Sequence, residues 1–303
     1  MQKIKDSFHP YAAITIIFWS LAYVLTRLTR GYFSAFSLGF LRYFIASIAL
    51  VIAAFATKMK LPKLKDIPLF IVSGAVGFFF YMIAFNQGQF LVTASTASVV
   101  IASVPVMTAL LARFFYGERM HAFHWAAVAI EFIGVSILTL LNGILSLNVG
   151  LLWLIAAALA LSVYNLIQRR LTKTYTALQS STFSIFAGTI LLAIFAPASI
   201  RDVSQAPVLQ CIYIVLLGVF SSAIAYVSWS KAFSKAKKTS QVSNYMFITP
   251  FLTSLLGLLI SKEAPDSATL IGGGVIMLGV LVFNFGDRLK IISGRQARHS
   301  QNS

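Results

Sequence analysis

Ten apolar stretches, each about the length needed to cross a bilayer and separated by short connections, constrain this chain more than any motif does. They are Pro10–Thr26, Phe36–Thr57, Pro68–Phe90, Ala94–Tyr116, Phe123–Leu141, Val149–Gln168, Leu178–Ala196, Val208–Ala232, Ser240–Ile260 and Ala268–Phe285. About 30 Å of hydrocarbon takes roughly 20 helical residues to span. Inside it, only helices and closed barrels satisfy their backbone groups. With 58% hydrophobic and 11% charged residues, the 303-residue chain carries far too little polar surface for a water-soluble globule. The sequence therefore predicts an all-α integral membrane protein with ten transmembrane helices. The first stretch runs on without a small-residue cleavage site, so it reads as a retained helix and not a signal peptide.

The placement of Lys and Arg tests that count. With the N-terminus inside, nineteen of the 24 basic residues fall on inside segments and four on outside ones, with Arg42 left within a helix. Inside connections are expected to carry the excess, and a miscounted span would have scrambled the alternation beyond it. The net charge of +16 thus reads as attraction to an anionic leaflet, not to nucleic acid. Both termini are expected in the cytoplasm, with the chain a multi-pass protein of the cell membrane. The single cysteine, Cys211, excludes an internal disulfide.

An internal repeat runs at an offset of 145 residues: Tyr81–Tyr226, Ser95–Ser240, Ser98–Ser243, Pro105–Pro250, Thr108–Thr253, Glu118–Glu263 and Gly134–Gly279. Near the start of each half the offset is 142, in Ser20–Ser162 and Arg27–Arg169. The repeat is five helices long. Because five is odd, the second copy enters the membrane from the opposite side, which predicts two inverted five-helix repeats. We expect residues 1–145 and 146–290 as the two units, and 291–303 as a basic and polar cytoplasmic tail. Inverted repeats place a solute site near the midplane between them.

The tract FLRYFIASIALVI in the second helix is one of a set. It is joined by the proline-bearing fourth helix ending in Gly117-Glu118-Arg119 ahead of Trp125. The second half adds GVFSSAIAYVSWSKAF and a proline-bearing ninth helix ending in SKE. As an ordered set these resemble the EamA-type branch of the drug/metabolite transporter superfamily over roughly residues 10–286. Lys262-Glu263-Ala264 stands where Gly-Glu-Arg is usual in the second copy, and Trp19-Ser20 where Trp-Gly is often seen. The resemblance implies a ten-helix carrier, often an exporter of amino acids or other small metabolites, with a cavity lined by helices 1, 3, 4, 6, 8 and 9. It places helices 2 and 5 away from that cavity.

Polar groups inside a membrane helix need partners or water, so they mark pathways, although serine and threonine also join helices to one another. Ser20, Tyr23 and Arg27 share one face of the first helix, and Ser162, Asn165 and Arg169 share the same face of the sixth. Tyr81 and Tyr226 lie mid-span, where an interfacial aromatic belt does not explain them. The expected lining is Trp19, Tyr23, Tyr81, Ser98, Asn165, Tyr226, Trp229 and Asn244. Pro105 and Pro250 each remove a backbone donor mid-helix, giving either a packing kink or a hinge.

Arg42 and Glu131 are intramembrane charges at similar expected depth. A mutual ion pair would spare two separate desolvation costs; the functional alternative is that Glu131 titrates and couples transport to protons. His121 and His124 have only loose metal-like spacing, so no metal is expected. No nucleotide-binding or hydrolase motif occurs, and no cofactor is expected.

The reading is a secondary carrier of a small polar organic solute, an amino acid or related metabolite, working by alternating access and in the export direction. It would couple to a proton or solute gradient, with the lipid bilayer as its other partner; the oligomeric state stays open. The alternatives are an importer of a cationic or quaternary amine, favoured by the mid-span aromatics, and a lipid flippase or integral membrane enzyme. An enzyme needs an acid, base or metal set clustered at one depth, and the sequence offers none.

Overall fold

The computed structural model describes residues 7–116, 122–140, 149–236, 239–267, 269–279, 281–282 and 286. Eight helices in it are long and apolar enough to cross a membrane: α1 (His9–Thr29), α2 (Ala35–Ala56), α3 (Leu64–Leu91), α4 (Ala94–Phe115), α6 (Val149–Leu171), α7 (Ala177–Gln205), α8 (Val208–Lys235) and α9 (Gln241–Ser261). Two further apolar helices, α5 (Ala122–Leu140) and α10 (Thr269–Gly279), occupy the remaining expected positions. Among the described residues there is no strand. The tail 291–303 lies outside them.

Two boundaries differ from expectation for physical reasons. α1 runs past Thr26 because Arg27 has a partner, Glu263, and need not end the helix. α7 restarts at Ala196–Gln205, with Pro197 in its first turn, after a tight turn at Ala193–Phe195. Its exposed Arg201 and half-buried Asp202 sit where a connection was expected. Ser34 and Thr93 accept from the amides of Ser37 and Thr96 and cap α2 and α4. Thr176 and Gln179 form a reciprocal capping box at α7. These caps satisfy amides that the first turn of a helix leaves free.

Contacts between connections give the helix directions. Ser34, before α2, donates its amide to Asp202 at the end of α7 at 3.1 Å. At the other face Tyr175, between α6 and α7, donates to Asp66 at the start of α3 at 2.5 Å. At about 1.5 Å per residue, α2 is long enough to join the two faces. α6 therefore ends on the face where α1 begins, and the two run antiparallel.

The halves are interleaved. α1 packs on α8 and α9 of the second half, and α6 packs on α3 and α4 of the first. Without a hydrophobic drive between helices in lipid, close approach is set by small residues. A Cβ on Gly74 would come within 2.5 Å of the Ala187 Cβ, and one on Gly77 within 2.3 Å of the Tyr164 ring. These two glycines let α3 lie directly against α7 and α6. Outward-facing apolar side chains such as Phe55, Phe114 and Leu259 remain exposed and meet lipid.

Candidate functional site

Where the halves meet, a cavity is lined by Trp19, Ala22 and Tyr23 of α1, Arg42 of α2, and Tyr81 and Phe85 of α3. Ser98, Ile101 and Ala102 of α4, Leu161 of α6, and Met246 and Thr249 of α9 complete it. Its free space is about 10 Å³, room for roughly one water, so the wall as it stands is too tight for an organic solute.

Local backbone irregularity builds this wall. α4 breaks at Ala102–Ser103 and resumes at Val104–Tyr116, with Pro105 in the first turn of the second piece. The proline lacks the donor that would bind the Ile101 carbonyl, which is why the helix interrupts there. Ser162 of α6 lies against the break, its hydroxyl 2.7 Å from the Ala158 carbonyl of its own helix and 3.2 Å from the Val104 carbonyl. α9 repeats the device: a tight turn at Asn244–Ile248 precedes Thr249–Leu256, with Pro250 in the first turn of that piece. Both breaks place wall residues, Ile101 and Ala102 in one copy, Met246 and Thr249 in the other.

A second paired device is a widened helical turn just before each mid-span tyrosine. Ala75–Phe80 precedes Tyr81, and Leu217–Ile224 precedes Tyr226, both π-helical. Such turns recur at functional sites. The Tyr23 and Tyr226 backbones are pinned: Gln89 donates to the Tyr23 carbonyl, and Ser181 to that of Tyr226 at 2.9 Å.

Of the residues named from sequence, Trp19, Tyr23, Tyr81 and Ser98 line the cavity. Asn165, Tyr226 and Trp229 form a layer behind it. The Trp19 ring sits 5.1 Å from Tyr226 and 5.0 Å from Trp229, centroid to centroid. Trp229 Nε1 donates to Asn165 Oδ1 at 3.1 Å, and Asn165 Nδ2 reaches Thr108 Oγ1 at 3.5 Å. The Asn244 side chain lies outside the described residues. Ser98 donates to its own helix, to the Ser95 carbonyl at 2.7 Å.

Arg42 is placed differently from the resemblance's implication, which put α2 away from the cavity. Arg42 is one of the residues that line the cavity. Nε donates to Ser222 Oγ at 2.7 Å and Nη2 to the Ser221 carbonyl at 3.3 Å, both on α8. The Glu131 side chain, its expected partner, lies outside the described residues. Phe85, Met246, Thr249 and Leu161 were missed in the sequence. Phe85 follows Tyr81 by one helical turn and was legible; the other three depend on packing between halves.

Two buried polar atoms of the wall, Trp19 Nε1 and Thr249 Oγ1, have no hydrogen-bond partner. Unpaired buried polar atoms are costly, and these two belong to residues that line the cavity. Among the described residues no three His, Cys, Asp or Glu gather as a metal site. The wall thus offers aromatic faces, hydroxyls, an indole N–H and one permanent cation. That set is suited to binding and orienting a solute, and among the described residues it holds no acid–base pair.

Comparison with known proteins agrees. The EamA-like transporter family signature matches residues 8–140 and again 148–285. The chain belongs to the EamA-like transporter family. It is a multi-pass helical membrane transporter built of two repeats, with a small-molecule substrate, and is not an enzyme. A Streptantibioticus cattleyicolor protein named as a probable terminal-alkyne amino-acid exporter is 30% identical over 271 residues, covering 89% of this chain and 91% of the relative. An uncharacterised transporter of Bacillus subtilis is 31% identical over 269 residues, covering 88% of each. A Rickettsia bellii S-adenosylmethionine uptake transporter is 24% identical over 256 residues, covering 84% of this chain and 85% of the relative. One solved crystal structure shares the fold at a TM-score of 0.65 and 21% identity, over 92% of this chain and 97% of the other. For an EamA-like carrier, the cavity between the repeats is the candidate substrate site.

Proposed function

We propose that this EamA-like protein is a secondary active carrier that exports a small polar organic solute, an amino acid or related metabolite, across the cell membrane by alternating access. Both termini face the cytoplasm on this reading, and residues 1–145 and 146–290 act as two inverted units. The observation that carries it is the tight aromatic cavity of Trp19, Tyr23, Tyr81 and Phe85, held between interleaved halves. A solute enters only if the wall parts. The breaks at Pro105 and Pro250 are the places in α4 and α9 where the helix ends can move independently, which makes them the proposed hinges. Asn165, Tyr226 and Trp229 support the wall from behind, and Asn244 is kept as a proposed lining residue.

The solute class draws support from two relatives: one is named for terminal-alkyne amino acids, the other for S-adenosylmethionine, and both solutes are amino acids. The second name concerns uptake, so an import direction is the rival reading. A carrier with two similar halves runs with the available gradient, and Glu131 is the proposed group for any coupling to protons.

Purified protein in proteoliposomes, loaded with each of a panel of unlabelled amino acids and given the same labelled compound outside, tests the proposal. Counterflow of at least one amino acid above empty-liposome rates is expected. Counterflow of none, with lipid probes moving between leaflets instead, would replace the carrier by a flippase.

A further inference from the structure

Arg42 of α2 is a buried cation at the cavity. The side chain is only 3% exposed and lines the cavity. Its two hydrogen-bond acceptors, the Ser222 hydroxyl and the Ser221 carbonyl, are both neutral. The Tyr43 ring lies 6.0 Å from its guanidinium carbon. Among the described residues it forms no ion pair, the one ion pair there being Arg27–Glu263. No described hydrogen bond engages Nη1. A guanidinium cannot shed its charge, so α8 orients this cation with no described carboxylate beside it.

The neighbours on that wall favour the same ligand chemistry. Trp19 Nε1 is a donor only, buried and without a partner, and the unpartnered Thr249 hydroxyl completes a set of three polar groups from α1, α2 and α9. No described carboxylate lines the cavity to receive a cation. Guanidinium forks match carboxylate geometry, while a quaternary amine brought beside Arg42 would meet like charge.

We infer that Arg42 is the carboxylate anchor of the cavity, so that the transported solute bears a carboxylate, with the Tyr81 and Phe85 rings receiving the rest of it. This rests on the reading above that the cavity holds the solute. It selects carboxylate-bearing solutes over purely cationic amines.

Thermal stabilisation of purified wild-type protein by the twenty L-amino acids finds the best acid; its amide and its decarboxylated amine are then compared with it. The acid is expected to bind at least about tenfold tighter than either. Arg42→Gln should abolish that preference and Arg42→Lys should keep part of it. If Arg42→Gln does not fold, the wild-type series still decides. An amine or amide that binds as tightly as the acid, no binding by any acid, or an undiminished preference in Arg42→Gln would overturn the anchor. The parent reading fails separately: an acid whose binding survives both Arg42→Gln and Trp19→Ala binds somewhere other than this cavity. An amine lost in Trp19→Ala would leave the carrier and remove the carboxylate.

Discussion

Trp19 of the first half lies with its ring centroid 5.0 Å from that of Trp229 of the second, at an interplanar angle of 52°. One indole faces the cavity, and the other is fully buried behind it and bonded to Asn165. The site wall is thus supported across the repeat boundary.

Replacing each tryptophan should therefore give different losses. Trp229→Phe keeps a ring behind Trp19 but strands the Asn165 oxygen, at a cost of about 1–3 kcal/mol; a lowered Tm is expected, with solute binding retained in the folded fraction. Trp19→Phe keeps the packing and removes a free N–H, so Tm should hold while solute affinity falls. Parallel melting and binding curves check the split, and equal effects in both would refute the layered arrangement.

Arg27 Nε and Glu263 Oε1, 2.8 Å apart, tie the end of α1 to the residue beyond α9. Both side chains are partly exposed, and such pairs contribute roughly 0–1 kcal/mol. Glu263→Gln should leave Tm nearly unchanged yet ease separation of α1 from α9. Alkylation of Cys introduced at Ala102, in a Cys211→Ser background, should be faster in Glu263→Gln than in the same protein with Glu263 intact. An unchanged rate would mean that the pair does not hold the cavity shut.

On the opposite face Tyr175 donates to the Asp66 carboxylate, and that hydrogen bond holds the phenol pKa above its ordinary value. A raised folded-state pKa adds stability that is complete below the unfolded value, near about 10, and is lost as pH rises through the folded one. Wild type should therefore lose more Tm between neutral pH and strongly alkaline pH than Tyr175→Phe does. Identical losses would show that the bond adds nothing at this face.

Arg42 and Glu131 can be tested as a proposed pair by a double-mutant cycle. If α8 alone holds Arg42, the Tm losses of Arg42→Gln and Glu131→Gln add; recovery in the double mutant reveals coupling between the two. Glu131→Gln that keeps full stability yet loses its flux response to a pH gradient assigns proton coupling to Glu131.

Spans and repeat were legible because each is a one-dimensional pattern: apolar length and a fixed offset. Tyr81 was legible as a mid-span aromatic that a belt does not explain, and Tyr23 as part of a polar face of the first helix. Arg42 was visible as a buried charge, but its address was not. Its partners Ser221 and Ser222 lie about 180 residues away, on a widened turn that leaves no periodicity signal. Asn165 was read as lining because it repeats a face of the first helix, and Trp229 because it is an aromatic lying mid-span; neither signal distinguishes the wall from the layer behind it.

The most direct test of the central claim is counterflow of a labelled amino acid in proteoliposomes carrying wild type, Tyr81→Ala, or Phe114→Ala as an exposed control. If the aromatic cavity is the transport site, Tyr81→Ala loses at least about tenfold in rate at equal incorporation, while Phe114→Ala matches wild type. Wild-type rates from Tyr81→Ala would contradict the account.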